Sequence, residues 1–282
     1  DILELTARAV AQAGDAVVFS KHAFAVYPLA TQAIGAKAIE VPANAQYGHD
    51  LPAMLEAVLA LGEKAKLVFV ANPNNPTGGY LQPDLIQAFL EKIPSHVVVV
   101  LDEAYNEYLS PEQRYDAIAW VRKYQNLVVS RSFSKAYGLA GLRIGYGIAQ
   151  TALTDLLNRI RQPFNVNSLA QAAAIAALQD EAFLQKGYAL NKAGYAQFTQ
   201  AFAQMNLPYL PSSGNFVLVK VGNDDQAGMR VNLELLERGV IVRPVTNYGL
   251  PQWLRISIGL PEENEICIKA LAQILKDQTV SV

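Results

Sequence analysis

Val97-Val-Val-Val-Leu-Asp-Glu-Ala-Tyr105 sets five consecutive aliphatic residues directly against an acidic one. A run this apolar and this short reads as a strand buried on both faces of a sheet. It ends at Asp102, which puts a carboxylate at the strand's carboxyl terminus, where open parallel sheets bind ligands. Comparable runs flank it: Val17–Ser20, Ala36–Val41, Lys66–Ala71, Asn126–Ser130 and Ile144–Ala149. Helical patterns alternate with these strands, among them Leu51–Gly62 behind an Asp50 N-cap and the amphipathic segment Pro83–Lys92. Alternation of this kind predicts an α/β fold with a mostly parallel central sheet flanked by helices.

Farther along, Leu184, Tyr188, Tyr195, Phe198, Phe202 and Met205 recur at helical spacing and predict one long helix over Glu181–Met205. After Pro208 the pattern changes to extended segments at Asn215–Val221, Gly239–Arg243 and Trp253–Ile258. Helices at Met229–Arg238 and from Glu262 to about Lys276 accompany them. The expected organisation is a large domain over 1–180, a connecting helix over 181–206 and a smaller C-terminal α+β domain over 207–282. The opening residues already show helical spacing from Ile2, so the chain is expected to begin inside a longer polypeptide.

The 282 residues are 51% hydrophobic and 17% charged, enough for a large core and a globular chain. A net charge of -2 supplies no basic patch for nucleic acid or an anionic membrane surface. The longest apolar stretch, Ala172–Leu178, is far short of the ~20 residues of a membrane-spanning helix. A single cysteine, Cys267, excludes an internal disulfide and fits a reducing, cytoplasmic compartment.

Polar groups cluster where the strands end. Ala71-Asn-Pro-Asn-Asn-Pro-Thr-Gly-Gly79 is a rigid loop able to aim Asn75 at a ligand oxygen. Ser132-Phe-Ser-Lys-Ala-Tyr-Gly-Leu-Ala-Gly-Leu-Arg143 carries hydroxyls and a guanidinium suited to a phosphate, with Lys135 between them. A lysine amine can hold an aldehyde as a Schiff base, and a carboxylate can keep a pyridine nitrogen protonated. Lys135 and Asp102 together describe a pocket for pyridoxal 5'-phosphate. Taken singly, each group reads more simply as a turn, a cap or a solvated side chain; the combination carries the inference. Burial and nearby Arg143 are expected to lower the proton affinity of Lys135.

These segments resemble the fold-type I pyridoxal phosphate-dependent aminotransferases, over essentially the whole chain. Within that family, Leu139-Ala-Gly-Leu-Arg143, Gly239-Val-Ile-Val-Arg243-Pro and Trp253-Leu-Arg-Ile-Ser-Ile-Gly259 are most similar to the members that act on histidinol phosphate. The resemblance implies that Lys135 binds the cofactor and moves the proton, and that Asp102 binds the pyridinium nitrogen. It implies that Asn75 and Tyr105 bond the ring oxygen, that Phe24 stacks on the ring, and that Ser132, Ser134 and Arg143 hold the phosphate. It gives Arg255 to the substrate carboxylate and leaves Arg243 for the substrate's far end, with no metal. It further implies a homodimer, and an arm and a phosphate-binding glycine turn before Asp1.

The expected reaction is transamination of histidinol phosphate with 2-oxoglutarate in histidine biosynthesis. Alternatives are an aromatic amino acid aminotransferase, a threonine-phosphate decarboxylase-like lyase, and a non-catalytic sensor domain. A dinucleotide-dependent dehydrogenase is disfavoured, because Gly141, Gly145 and Gly147 do not form the required glycine pattern.

Overall fold

The computed structural model describes residues 1–280. Six strands form the larger sheet: β1 (Ala16–Ser20), β2 (Lys37–Val41), β3 (Ala65–Ala71), β4 (Val98–Asp102), β5 (Leu127–Ser132) and β6 (Gly145–Ile148). Their spatial order is β2-β1-β3-β4-β5-β6, parallel throughout except for β6, which runs antiparallel to β5. The apolar runs are continuous because both faces are covered. Along β3, Val68 and Val70 join Met54, Val58 and Ile86 on one side, while Leu67 and Phe69 join Tyr27 and Ala30 on the other. The same alternation divides Val99 and Leu101 from Val98 and Val100 in β4.

The strand order locates the ligand crevice. From β1 the chain moves outward to β2, then crosses back to place β3 on the opposite flank of β1. Loops leaving the carboxyl ends of β1 and β3 therefore part in opposite directions, and the gap between them is a topological switch point. The β1 loop carries Phe24 and the β3 loop carries Asn75.

A second, antiparallel sheet comprises β7 (Tyr209–Leu210), β8 (Phe216–Lys220), β9 (Arg243–Val245) and β10 (Leu250–Ser257), in the order β7-β8-β10-β9. One face packs Val217, Val219, Leu254 and Ile256 against Phe198 and Phe202 of the long helix Glu181–Gln204 and against Leu235, Leu271 and Ile274. Asp180 caps the long helix, its carboxylate accepting from the Phe183 N–H at 2.9 Å. Among the described residues no helix is long and apolar enough to cross a membrane.

Two sequence expectations need correction. Gly239-Val-Ile-Val does not pair as a strand; the ladder begins only at Arg243. Gly239 instead takes φ 76° to end the helix Ala227–Glu237, with its N–H donating to Leu236 O and the Val240 N–H to Leu235 O. Val240 is buried by this turn while Ile241 is left exposed, an alternation that imitates a strand. Helices at Thr151–Ile160 and Ser168–Gln179 fill a region in which the sequence reading placed no element.

A buried ionic cluster braces the ends of β4 and β5. Arg131 donates through both Nε and a terminal nitrogen to Glu103 at 2.8 Å, and the Glu103 side chain has no solvent exposure. One turn on, Glu107 Oε2 is buried without a partner, and burial pushes its carboxyl up from 4.5 to about 7. The native state therefore keeps this proton across a range in which the unfolded chain has released it. The stability so contributed is complete below pH 4.5 and lost as pH rises through about 7. Glu107→Gln should thus stabilise the protein in urea unfolding by about 3 kcal/mol at pH 8, and by under about 1 kcal/mol at pH 5. Equal gains at both values would show that the carboxyl is not held protonated.

Candidate active site

A cleft of about 590 Å³ opens at the switch point. Its lining includes Phe24, Asn75, Asp102, Tyr105, Ser132, Ser134, Lys135 and Arg143, so the structure gathers eight of the ten candidate side chains into one space. Four strand ends deliver them: β1 leads to Phe24, β3 to Asn75, β4 ends in Asp102, and β5 ends in Ser132.

Asp102 forms the floor, 8% exposed. Its Oδ2 accepts from the Tyr27 hydroxyl at 3.0 Å and its Oδ1 from the Ser130 hydroxyl at 3.2 Å. Burial nonetheless raises its proton affinity, and the hydrogen bonds from Tyr27 and Ser130 offset this only in part. Such a carboxylate favours a cationic N–H as its next neighbour. Sequence reasoning had missed both supports. Tyr27 is wholly buried, with its ring stacked on Phe69 at 4.6 Å and 5°. Only the short spacing from Phe24 to Tyr27, which lets their rings meet edge to face at 6.0 Å, could have suggested it.

Lys135 begins a tight turn in which its carbonyl accepts from the Gly138 N–H at 3.0 Å. Its ammonium lies 5.5 Å from the centre of the Tyr105 ring, which meets Phe216 edge to face at 5.3 Å. Burial lowers the proton affinity of Lys135, and the positive charges of Arg255 and Arg143 lower it further against the opposing pull of Asp102. Arg255 acts more strongly than Arg143, a contribution that sequence spacing did not reveal. Burial also pushes the Tyr105 hydroxyl up to about 12, so it is a donor at neutral pH.

The Ser132–Arg143 segment folds back on itself, with the Phe133 N–H donating to Ile144 O and the Ser134 N–H to Ser132 Oγ at 3.0 Å. Arg143 takes φ 55° and donates to Ala140 O at 2.8 Å, which leaves most of its fork open to the cleft.

Arg255 and Arg243 come from the other sheet and lie outside the cleft lining. Alternation along β10 turns Arg255 away from the core formed by Leu254 and Ile256. It lies 5.1 Å above the Phe216 ring and donates to Asn75 Oδ1, while its buried Nε has no partner. Arg243 is exposed and stands directly opposite Arg255 across the β9–β10 ladder.

The donor set fits pyridoxal phosphate. The cleft lining brings together an amine of lowered proton affinity, a buried carboxylate, two serine hydroxyls and a guanidinium, and Arg255 reaches its wall through Asn75.

Comparison with known proteins gives the same direction. The profile of the family described as "Aminotransferase class I and II" matches residues 1–271. A protein of Ralstonia nicotianae named histidinol-phosphate aminotransferase 2 is 68% identical, over 98% of this chain and 72% of its own length. Histidinol-phosphate aminotransferase 1 of Cupriavidus pinatubonensis is 62% identical over the same shares. Among solved structures, histidinol-phosphate aminotransferase from Sinorhizobium meliloti in complex with pyridoxal-5'-phosphate superposes with a TM-score of 0.91 at 30% identity. That match covers 98% of this chain and 74% of the other.

The electrostatics of Lys135 give a direct test. Capture of pyridoxal by the amine, followed by absorbance, should rise with pH through an inflection below the 10.5 of an ordinary lysine. Arg143→Ala should move the inflection to higher pH by removing a neighbouring positive charge. A profile centred at 10.5 in both proteins would remove the electrostatic argument.

Proposed function

The chain belongs to the class I and II aminotransferases, and from that membership we propose that it transfers the amino group between histidinol phosphate and 2-oxoglutarate in histidine biosynthesis. The carrying observation is the placement of Lys135 and Asp102 in one cleft, with Arg255 hydrogen-bonded to Asn75 in its wall. Pyridoxal 5'-phosphate, when bound, supplies an electrophilic aldehyde and an electron-withdrawing ring. Two relatives at 68% and 62% identity are named for histidinol phosphate, which favours that substrate over the aromatic and decarboxylase alternatives.

Each side chain has a task that follows from its surroundings. Lys135, its proton affinity lowered by burial and by two arginines, would hold the cofactor's aldehyde carbon and, when freed by the substrate amine, would take the proton from the substrate α-carbon. Asp102, held by Tyr27 and Ser130, accepts from the ring N–H. Asn75 Oδ1 is occupied by Arg255, so its amide is left to donate to the ring oxygen together with the Tyr105 hydroxyl. Phe24 covers one ring face, and Ser132, Ser134 and Arg143 bind the phosphate. Arg255 seats the carboxylate of glutamate or the phosphate ester of the alternate substrate. Arg243, opposite it on β9, adds positive charge for the ester.

By this reading residues 1–180 form the cofactor-binding domain, 181–206 the connecting helix and 207–282 the small domain, of which 281 and 282 lie outside the described residues. The active form is a cytoplasmic homodimer. Phe164, Leu169 and Ile175 are 97%, 75% and 62% exposed, and they adjoin Asn165 and Val166 at the cleft wall. An apolar patch continuous with the cleft rim suits a second copy of the chain.

Incubation with histidinol phosphate and 2-oxoglutarate should yield glutamate without carbon dioxide, and Lys135→Ala should abolish it. Carbon dioxide release without glutamate, or a tenfold preference for phenylalanine, would defeat the assignment. Arg255→Gln should raise KM for both substrates by about 100-fold or more with the cofactor still bound. The cofactor-loaded protein should sediment as a dimer, and Leu169→Asp should shift it toward monomer; a parent that sediments as a monomer would defeat the dimer.

A further inference from the structure

Phe216 opens β8 and is 2% exposed, yet among the described residues it belongs to none of the four apolar cores. The residues after it divide between two of them. Val217 and Val219 pack toward the long helix, while Leu218 packs with Trp253 and Val245 on the opposite face of the sheet. Alternation puts the Phe216 ring on the Leu218 face, and there it meets Tyr105 of the cleft lining instead of another aliphatic side chain.

Two groups from different sheets converge on this ring. The Tyr105 ring meets it at 5.3 Å and 85°, and the Arg255 guanidinium carbon stands 5.1 Å from its centre. In the ladder between β8 and β10, Ser257 lies opposite Phe216 and Arg255 lies opposite Leu218. Arg255 is therefore the diagonal neighbour of Phe216 on one face, within reach of a long side chain. Tyr105 in turn has the Lys135 ammonium 5.5 Å from its own ring centre. The four side chains form a run in which two cations flank two aromatic rings.

The backbone before β8 makes room for the ring. A Cβ on Gly214 would stand 3.1 Å from Phe216 Cε1 and 3.2 Å from Cζ, so a side chain there would crowd it. Gly214 is itself fixed, its N–H donating to Ser212 Oγ at 3.1 Å and its carbonyl accepting from Asn191 of the long helix at 3.1 Å. An aromatic ring presents a negative face to a cation and favours a tilted aromatic neighbour, so one ring restrains both Arg255 and Tyr105. Asn75 Oδ1 holds one nitrogen of Arg255, and the ring supplies a second restraint. A long side chain held at two points loses less freedom when it grips an anion than one held at a single point.

We propose that Phe216 is a positioning residue for the substrate's anionic group: its ring pre-orders the Arg255 guanidinium, and its contact with Tyr105 sets that guanidinium in place relative to the large sheet. The inference rests on the reading that Arg255 seats a carboxylate. Phe216 acts through Arg255 and Tyr105.

Glutarate, a dicarboxylate with no amino or oxo group to react, probes the site by saturation-transfer NMR on the cofactor-loaded protein. Phe216→Leu should weaken glutarate binding about tenfold and raise the KM for glutamate by a similar factor. Leucine also alters packing, so a graded series isolates the cause. Mono-, di- and trifluorophenylalanine in place of Phe216 keep the shape of the ring while progressively draining charge from its face. Glutarate affinity should fall stepwise along the series, and the trend should vanish in Arg255→Gln, where no cation remains over the ring. A flat series, in a protein whose glutarate binding Arg255→Gln does weaken, would overturn the inference and leave the role of Arg255 standing. A trend that survives in Arg255→Gln would overturn it too, since the ring would then act by packing alone. Unchanged glutarate binding in Arg255→Gln itself would defeat the role of Arg255 and this inference together.

Discussion

A carboxylate that has lost nearly all contact with water dominates the larger sheet. Asp102 is the last residue of β4, paired in register with Ala71 on one side and Ser130 on the other. Desolvating such a group is costly unless its oxygens are bonded and a positive charge stands near. Tyr27 and Ser130 supply the bonds, and Lys135 is the cation that acts on it. The net effect of burial remains unfavourable to the ionised form. The arrangement therefore suits a further cation beside Asp102, the part proposed for a protonated ring nitrogen.

That arrangement depends on strand order more than on any local motif. Because β3 lies between β1 and β4, the loop carrying Asn75 enters the crevice between the loop carrying Phe24 and the carboxylate. Asn74 then ties its loop to the β1 loop through His22 O, and the Gly78 carbonyl ties it to the Ser213 N–H before β8. Gly78 takes φ 79° at this contact, where a Cβ would stand 2.3 Å from Ser212 Oγ, so the loop can dock only with glycine. Backbone constraint and side-chain chemistry thus converge on the one loop that follows β3.

The strands and the cleft were legible in the sequence because doubly covered strands leave unbroken aliphatic runs and because strand ends are where polar residues interrupt them. The supports of Asp102 were not. Tyr27 looks like any aromatic on an amphipathic helix, and its role appears only when β1 and β3 bring Phe69 beneath it. Gly239–Val242 was misread for the opposite reason: local alternation imitated a strand, while the left-handed turn at Gly239 was spent on ending a helix. Arg243 and Arg255, 12 positions apart in sequence, gave no sign of facing each other until the register of β9 and β10 was known. For Tyr27 and for the two arginines the missing information was a long-range pairing; for Gly239 it was a local helix end.

Arg255 links these observations to the chemistry. It comes from the small sheet and touches Asn75 of the loop that leaves the large one. Its charge also depresses the proton affinity of Lys135 more than Arg143 does. A carboxylate or phosphate seated on Arg255 would neutralise much of that charge, since an ion pair in a partly buried site is only weakly screened. The proton affinity of Lys135 then rises in the occupied site. A lysine whose proton affinity is held down before the anion arrives and raised after it suits both tasks proposed for it. One guanidinium, placed by strand alternation, thereby couples the proton affinity of the lysine to whether an anion is seated on it.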